Sequence, residues 1–187
     1  MWTYSTLSLL LSAMICLPSM AQPNLPRAFR QKLQRCGLEL LWPTEARYRS
    51  IYVATTPIQY CDYAMRSARE GIEIRYAIYP WTADQPASQH PQLLAMRAAA
   101  SVATNDQAYL ITMRYLNEQE LHTFGADGGV VYHFKPKAAF TTYRHCRLLA
   151  IYNEGRGTAL VFWLFDQPNN PALDLRYYAL RFNPQPE

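Results

Sequence analysis

The chain lacks most of the local signatures by which a sequence declares a chemistry. Its four histidines, His90, His122, His133 and His145, form no HxH or HExxH pattern, and no two cysteines stand in CxxC spacing. No single element therefore presents a ready set of metal ligands, and neither a metal nor a cofactor is expected. No G-x-S-x-G occurs, which removes the nucleophile elbow of an α/β-hydrolase. Internal repeats and low-complexity tracts are also missing, so a solenoid or propeller is excluded. Charge of one sign is scarce. Eighteen Lys and Arg against fourteen Asp and Glu give a formal +4 in 187 residues, spread along the chain, which excludes a dedicated nucleic-acid binder. Past the first two dozen residues no run is apolar for long enough to span a bilayer.

The first residues, "MWTYSTLSLLLSAMICLPSMAQPN", contain no charged side chain. An apolar run from Leu7 to Leu17 leads to Pro18, and small residues at Ser19 and Ala21 precede Gln22. That is the pattern of a signal peptide over residues 1–21, too short to be a membrane span. Bulky Met14 and Ile15 before Cys16 argue against a lipoprotein. Export to the periplasm or the medium is expected, leaving residues 22–187 as a single domain with enough apolar residues for a sizeable core. In an oxidising compartment two of the three remaining cysteines, Cys36, Cys61 and Cys146, are candidates for one disulfide. Three buried, reduced thiols are the alternative.

Residues 24–37, "NLPRAFRQKLQRCG", read as an amphipathic helix capped by Asn24 and closed by Gly37, with Leu25, Phe29, Leu33 and Cys36 on one face. Its arginines and lysine suit a solvated outer face better than an anionic membrane. "LELLWP" alternates as a short strand ended by Pro43. "IQYCDYAMRSAREGIEIRYAIYPW" is a hairpin turning at "AREG", with Ile72, Ile74, Tyr76 and Ile78 on one face of its second arm. "HPQLLAMRAAASVATND" predicts a helix from Pro91 to about Asn105, with Leu93, Met96, Ala100 and Ala103 sharing a face, and its alanines suit close packing on a sheet. "AYLITMRYL" is a strand, and Asn117 with Glu120 forms a capping box for a short helix ending at Gly125. "RLLAIYNEGRGTALVFWLFD" is a second hairpin whose second arm is apolar on both faces, so layers must lie above and below it. "LRYYALRF" after "QPNNP" reads as a last strand.

These elements make an α+β domain: a mainly antiparallel sheet with helices on one or both faces. The order of "LELLWP" leading into "YCDYAMRS", the hairpin to "IEIRYAIYPW", a helix and terminal strands resembles the PsbP/DcrB-like α/β/α sandwich over residues 38–182. That resemblance implies a non-catalytic accessory or binding module. It carries no functional residue over to this chain.

"FGADGGVVYHFKPKAAF", residues 124–140, concentrates three glycines, Asp127, His133 and two lysines. A phosphate loop needs glycines between a strand and a helix; here they follow a helix and precede a strand. Turn chemistry accounts for them, with Gly125 ending the helix and Asp127-Gly128-Gly129 making a tight turn into "VVYHF". In "TTYRHCRLL", Arg144 and Arg147 flank His145 and Cys146. Adjacent strand residues point to opposite faces, so His145 is poorly placed as a base for Cys146. Tyrosines at 60, 63, 76, 79, 177 and 178, with Trp81, suit a sheet rim or half-buried strand positions. The candidate ligand residues are Asp127, His133, Tyr76 and Arg75. The expected function is an exported cell-envelope binding or accessory protein without catalytic activity, its partner an envelope protein or a small ligand. The alternative is a small periplasmic hydrolase with a site near Asp127 and His133.

Overall fold

A computed structural model of the chain describes residues 25–53, 58–84 and 90–184. The expected cleavage site at Ser19–Ala21 and the capping Asn24 lie outside the described residues. Seven strands form one antiparallel sheet: β2 (Arg49–Ile51), β3 (Tyr63–Ser67), β4 (Ile72–Pro80), β5 (Thr112–Tyr115), β6 (Gly128–Phe134), β7 (His145–Asn153) and β8 (Gly157–Phe165), in the order β2-β3-β4-β8-β7-β6-β5. The two hairpins predicted from alternation, β3–β4 and β7–β8, are both present, and β4 and β8 pair along nine residues to join them. Every residue of β8 is buried, as a strand with two apolar faces requires.

Layers lie on both sides. One face carries Ile72, Ile74, Tyr76 and Ile78 of β4 with Val131, Leu149, Val161 and Trp163. It is covered by α1 (Arg27–Cys36), α3 (Glu118–Phe124), α4 (Ala172–Arg176) and a two-stranded ribbon of β1 (Leu38–Leu40) with β9 (Leu180–Phe182). The other face, with Ala77, Val130, Leu148 and Leu160, is covered by α2 (Pro91–Val102) and Phe140. The fold is thus an α+β sandwich with helices on both faces.

Four local expectations are corrected. α1 starts at Arg27 behind Pro26, whose fixed φ suits a helix start. α2 ends at Val102, with Ala103 as its C-cap, and buries Ala95, Ala98, Ala99 and Val102, while Leu93 and Met96 are 42% and 52% exposed. Small side chains let the helix axis approach the sheet, and that close approach outweighs burial of the two longer ones. Gly128 and Gly129 are the first residues of β6, paired with Tyr152 and Ile151, and not part of a turn. A Cβ on Gly128 would collide with the Tyr152 ring, and one on Gly129 would lie 2.9 Å from Ala150 O. The last strand begins only at Leu180, because α4 takes up Ala172–Arg176 behind Pro171.

Gly125 does end α3, at φ 59°, after the predicted Asn117/Glu120 capping box. Arg156, in the β7–β8 turn, donates to Cys36 O and Gly37 O behind α1 and to Asn183 O beyond β9, tying three distant segments together. Cys36, Cys61 and Cys146 each stand as a free thiol, the arrangement of the reduced alternative. Cys36 and Cys146 lie in cores on opposite faces of the sheet. Cys61 precedes β3 and donates to Tyr63 O, three strand spacings or about 14 Å from the line of β7, beyond disulfide reach. Among the described residues no helix is long and apolar enough to cross a membrane.

Candidate functional site

The expected site residues are not brought together. Asp127 sits just before β6, where its carboxylate accepts the Glu154 N–H at 2.6 Å and its own N–H donates to Tyr152 O. His133 is near the other end of that strand, six residues or about 20 Å away. Tyr76 is buried in the core among Phe29 and Tyr63, its hydroxyl without a partner. Arg75 points to the opposite face. Its nitrogens contact Glu73 Oε1 at 2.7 Å and Phe140 O at 3.0 Å, and its guanidinium lies over the Phe140 ring. The second oxygen of buried Glu73 is taken by Arg66. That cluster is complete and structural.

His133 does belong to a cleft. Antiparallel register places Thr112, His133, Arg147 and Trp163 in one row across β5, β6, β7 and β8, all on the face that carries α4. Residues of one row on one face are neighbours, so the row gathers an imidazole, a guanidinium and an indole. Beside it Arg114, opposite Val131 on β5, reaches Glu120 of α3 with two bonds of 2.7 and 2.8 Å. The Tyr177 hydroxyl accepts from Arg114 and donates to Glu120. His133, Arg147, Arg114, Glu120 and Tyr177, together with Asp174 and Tyr178, enclose a polar cleft of about 370 Å³. A second depression of about 290 Å³ shares His133 and Arg147 with it and continues past Lys135, Arg144 and His145.

The electrostatics of the cleft follow from who is paired. Arg114 holds the Glu120 carboxyl down at about 2, with the Asn117 N–H adding to the effect. Burial, and then Arg147 and Arg114, lower the pKa of His133, favouring the neutral ring. Burial raises that of Tyr177, which keeps its proton. Arg147 is different. Its Nη1 lies 3.5 Å from Asp174, a side chain 86% exposed, while its Nε is buried with no acceptor. Trp163 Nε1, from the residue paired with Arg147, is likewise buried without an acceptor. Two donors buried behind the cleft wall thus lack acceptors.

Arg114, Glu120 and Arg147 escaped the sequence reading as site residues. A signal was present for Arg147: along β7 it shares a face with Leu149 and Ile151, a charge in an otherwise apolar row. Glu120 was read only as a cap, which it also is. Among the described residues no three His, Cys, Asp or Glu side chains gather as metal ligands.

A third cavity of about 150 Å³, at the start of β6, is apolar and lined by Leu116, Leu121, Gly128, Gly129 and Tyr152. The glycine-rich stretch thus borders a small apolar space, with close packing as its evident role.

The fold and cleft define an antiparallel α+β sandwich with a polar cleft on one face of its sheet. No protein-family model matches the chain, and no curated protein matches its sequence. Among solved structures it is similar to the solution structure of cyanobacterial PsbP (CyanoP) from Synechocystis sp. PCC 6803, with a TM-score of 0.46 and 16% identity, over 80% of this chain and 88% of that one.

Proposed function

We propose that the chain is an exported cell-envelope protein that binds a ligand or partner on the β5–β7 face without turning it over. The observation that carries this reading is the composition of the cleft. Arg114 is locked to Glu120, whereas Arg147 is only loosely paired with exposed Asp174, an arrangement suited to holding an acceptor. Glu120, held ionised far below neutral pH by Arg114, is a weak base. Asp127 is about 20 Å along the strand from His133, which speaks against a hydrolytic pair. Export is supported by the uncharged apolar start and the small residues Ser19 and Ala21.

The test is the intact mass of the protein from fractionated native cells. A mature chain beginning at Gln22 in the envelope or medium is expected; a cytoplasmic chain retaining its first residues would overturn the export reading. Measurable turnover of a simple ester or peptide, lost with His133→Ala, would overturn the non-catalytic one.

A further inference from the structure

We propose that the cleft between β5–β7 and the α4–β9 segment binds a small organic molecule through a single carboxylate, received by the guanidinium of Arg147. The proposal rests on the binding reading above and gives that site its ligand class.

Three observations carry it. The first is an under-satisfied guanidinium: Arg147 lines the cleft while its Nε lies buried behind the wall with no acceptor, a state that costs on the order of a hydrogen bond. Among the described residues the carboxylate paired with this guanidinium is that of Asp174, 3.5 Å from Nη1 and almost fully exposed, too distant for the short charge-assisted bond an arginine forms with a committed partner. With Nε buried, the accessible part of the side chain (19% exposed) is the outer end of the guanidinium, where the two Nη groups can receive a ligand carboxylate with two parallel bonds.

The second is the charge balance. Arg114 is spent on Glu120 through a bidentate pair. His133 is pressed towards its neutral form. One guanidinium therefore remains weakly compensated, and one negative charge matches it. A phosphate dianion would leave an excess negative charge beside Glu120.

The third is the lining. Val131 and the rings of Tyr177 and Tyr178 border the polar centre, and Tyr178 is 37% exposed. They give an apolar body somewhere to lie once its carboxylate is seated.

The probe is benzoate, titrated into the purified full-length protein, with benzamide as its neutral isostere and inorganic phosphate as the competing oxyanion. Proton–nitrogen spectra follow the side-chain Nε–H of Arg147 and the indole N–H of Trp163. Saturable benzoate binding that moves both signals is expected, with benzamide and phosphate each weaker by about tenfold or more. Arg147→Met should weaken benzoate by at least about tenfold, and Arg147→Lys should restore part of the loss because charge returns without the fork. Benzoate and benzamide binding alike, phosphate binding more tightly, or shifts confined to other parts of the protein would each overturn the proposal. Should Arg147→Met fail to fold, the wild-type shifts and the benzamide comparison still decide it. Absence of benzoate binding sinks the carboxylate site and leaves the envelope-protein reading to its own mass test; turnover of a benzoate ester sinks the non-catalytic reading and leaves the site.

Discussion

Arg75 on β4 and Arg147 on β7 lie on opposite faces of the sheet, and they are treated in opposite ways. Arg75 is ringed by acceptors: both it and Glu73 are more than nine-tenths buried, and each guanidinium nitrogen has a partner. Arg147 has a remote, solvated carboxylate on one nitrogen and none on its buried Nε. A buried charge that is fully paired holds a structure in one arrangement, whereas one left short of acceptors is poised for something from outside. The same contrast runs along β6. At its entry Asp127 is tied to the Glu154 backbone; near its exit His133 faces a cavity.

Removing a member of the closed cluster should show the largest effect. Glu73→Ala strands Arg75 in the core, and a loss of about 3–5 kcal/mol is expected in chemical denaturation, as for other broken buried pairs. A loss below about 1 kcal/mol would mean that the cluster is less closed than its geometry implies.

Next comes Glu120, which belongs to both worlds because it caps α3 and lines the cleft. Its folded pKa, near 2, lies below the ordinary value near 4.5. The unfolded chain therefore binds the proton more readily, so the contribution is full above pH 4.5 and is lost as pH falls towards 2. Glu120→Gln should cost about 1.5–3 kcal/mol at neutral pH and flatten the acid limb of a melting-temperature profile between those values.

Asp127→Ala should cost about 1 kcal/mol or less, the worth of one exposed hydrogen bond at the strand entry. It should leave benzoate binding unchanged; a stable variant that had lost binding would move the ligand to the wrong end of β6.

Arg147→Met should have the smallest effect on stability, within about 0.5 kcal/mol of the parent or on its stabilising side, since an apolar chain replaces an unsatisfied donor. A cost as large as that of Glu73→Ala would erase the distinction between the two arginines.

The sheet was legible where its information is local. Both hairpins announce themselves through alternating residues and a glycine-bearing turn, and the doubly apolar arm at Thr158–Phe165 demanded layers on both sides. Where competing tertiary terms decide, the sequence was a poor guide. In α2 the bulkier Leu93 and Met96 outscore alanine by hydrophobicity, yet the closest packing goes to the smaller face. The tract from Leu175 to Phe182 alternates enough to pass for a strand, but Pro171 starts a helix and Leu38 waits as a distant partner for Phe182. Of the candidate site residues only His133 reaches the cleft, because the row that completes it joins β5, β6 and β7 across long sequence gaps. What makes Arg147 notable is an absent acceptor, and an absence in three dimensions has no residue to mark it.

The ribbon of β1 with β9 joins the first strand to the last, and this sets an order of manufacture. A growing chain acquires all seven strands of the large sheet, and α1, α3 and α4, before Leu180–Phe182 exists, so it passes through a stage in which β1 has no partner and the cover of that face is incomplete. Such exposed surface is what proteases and chaperones recognise. Leu180–Asn183 thus act as a clasp: a chain cut back to Tyr178 should be digested quickly in limited proteolysis, and one that includes Asn183, held by Arg156, should resist.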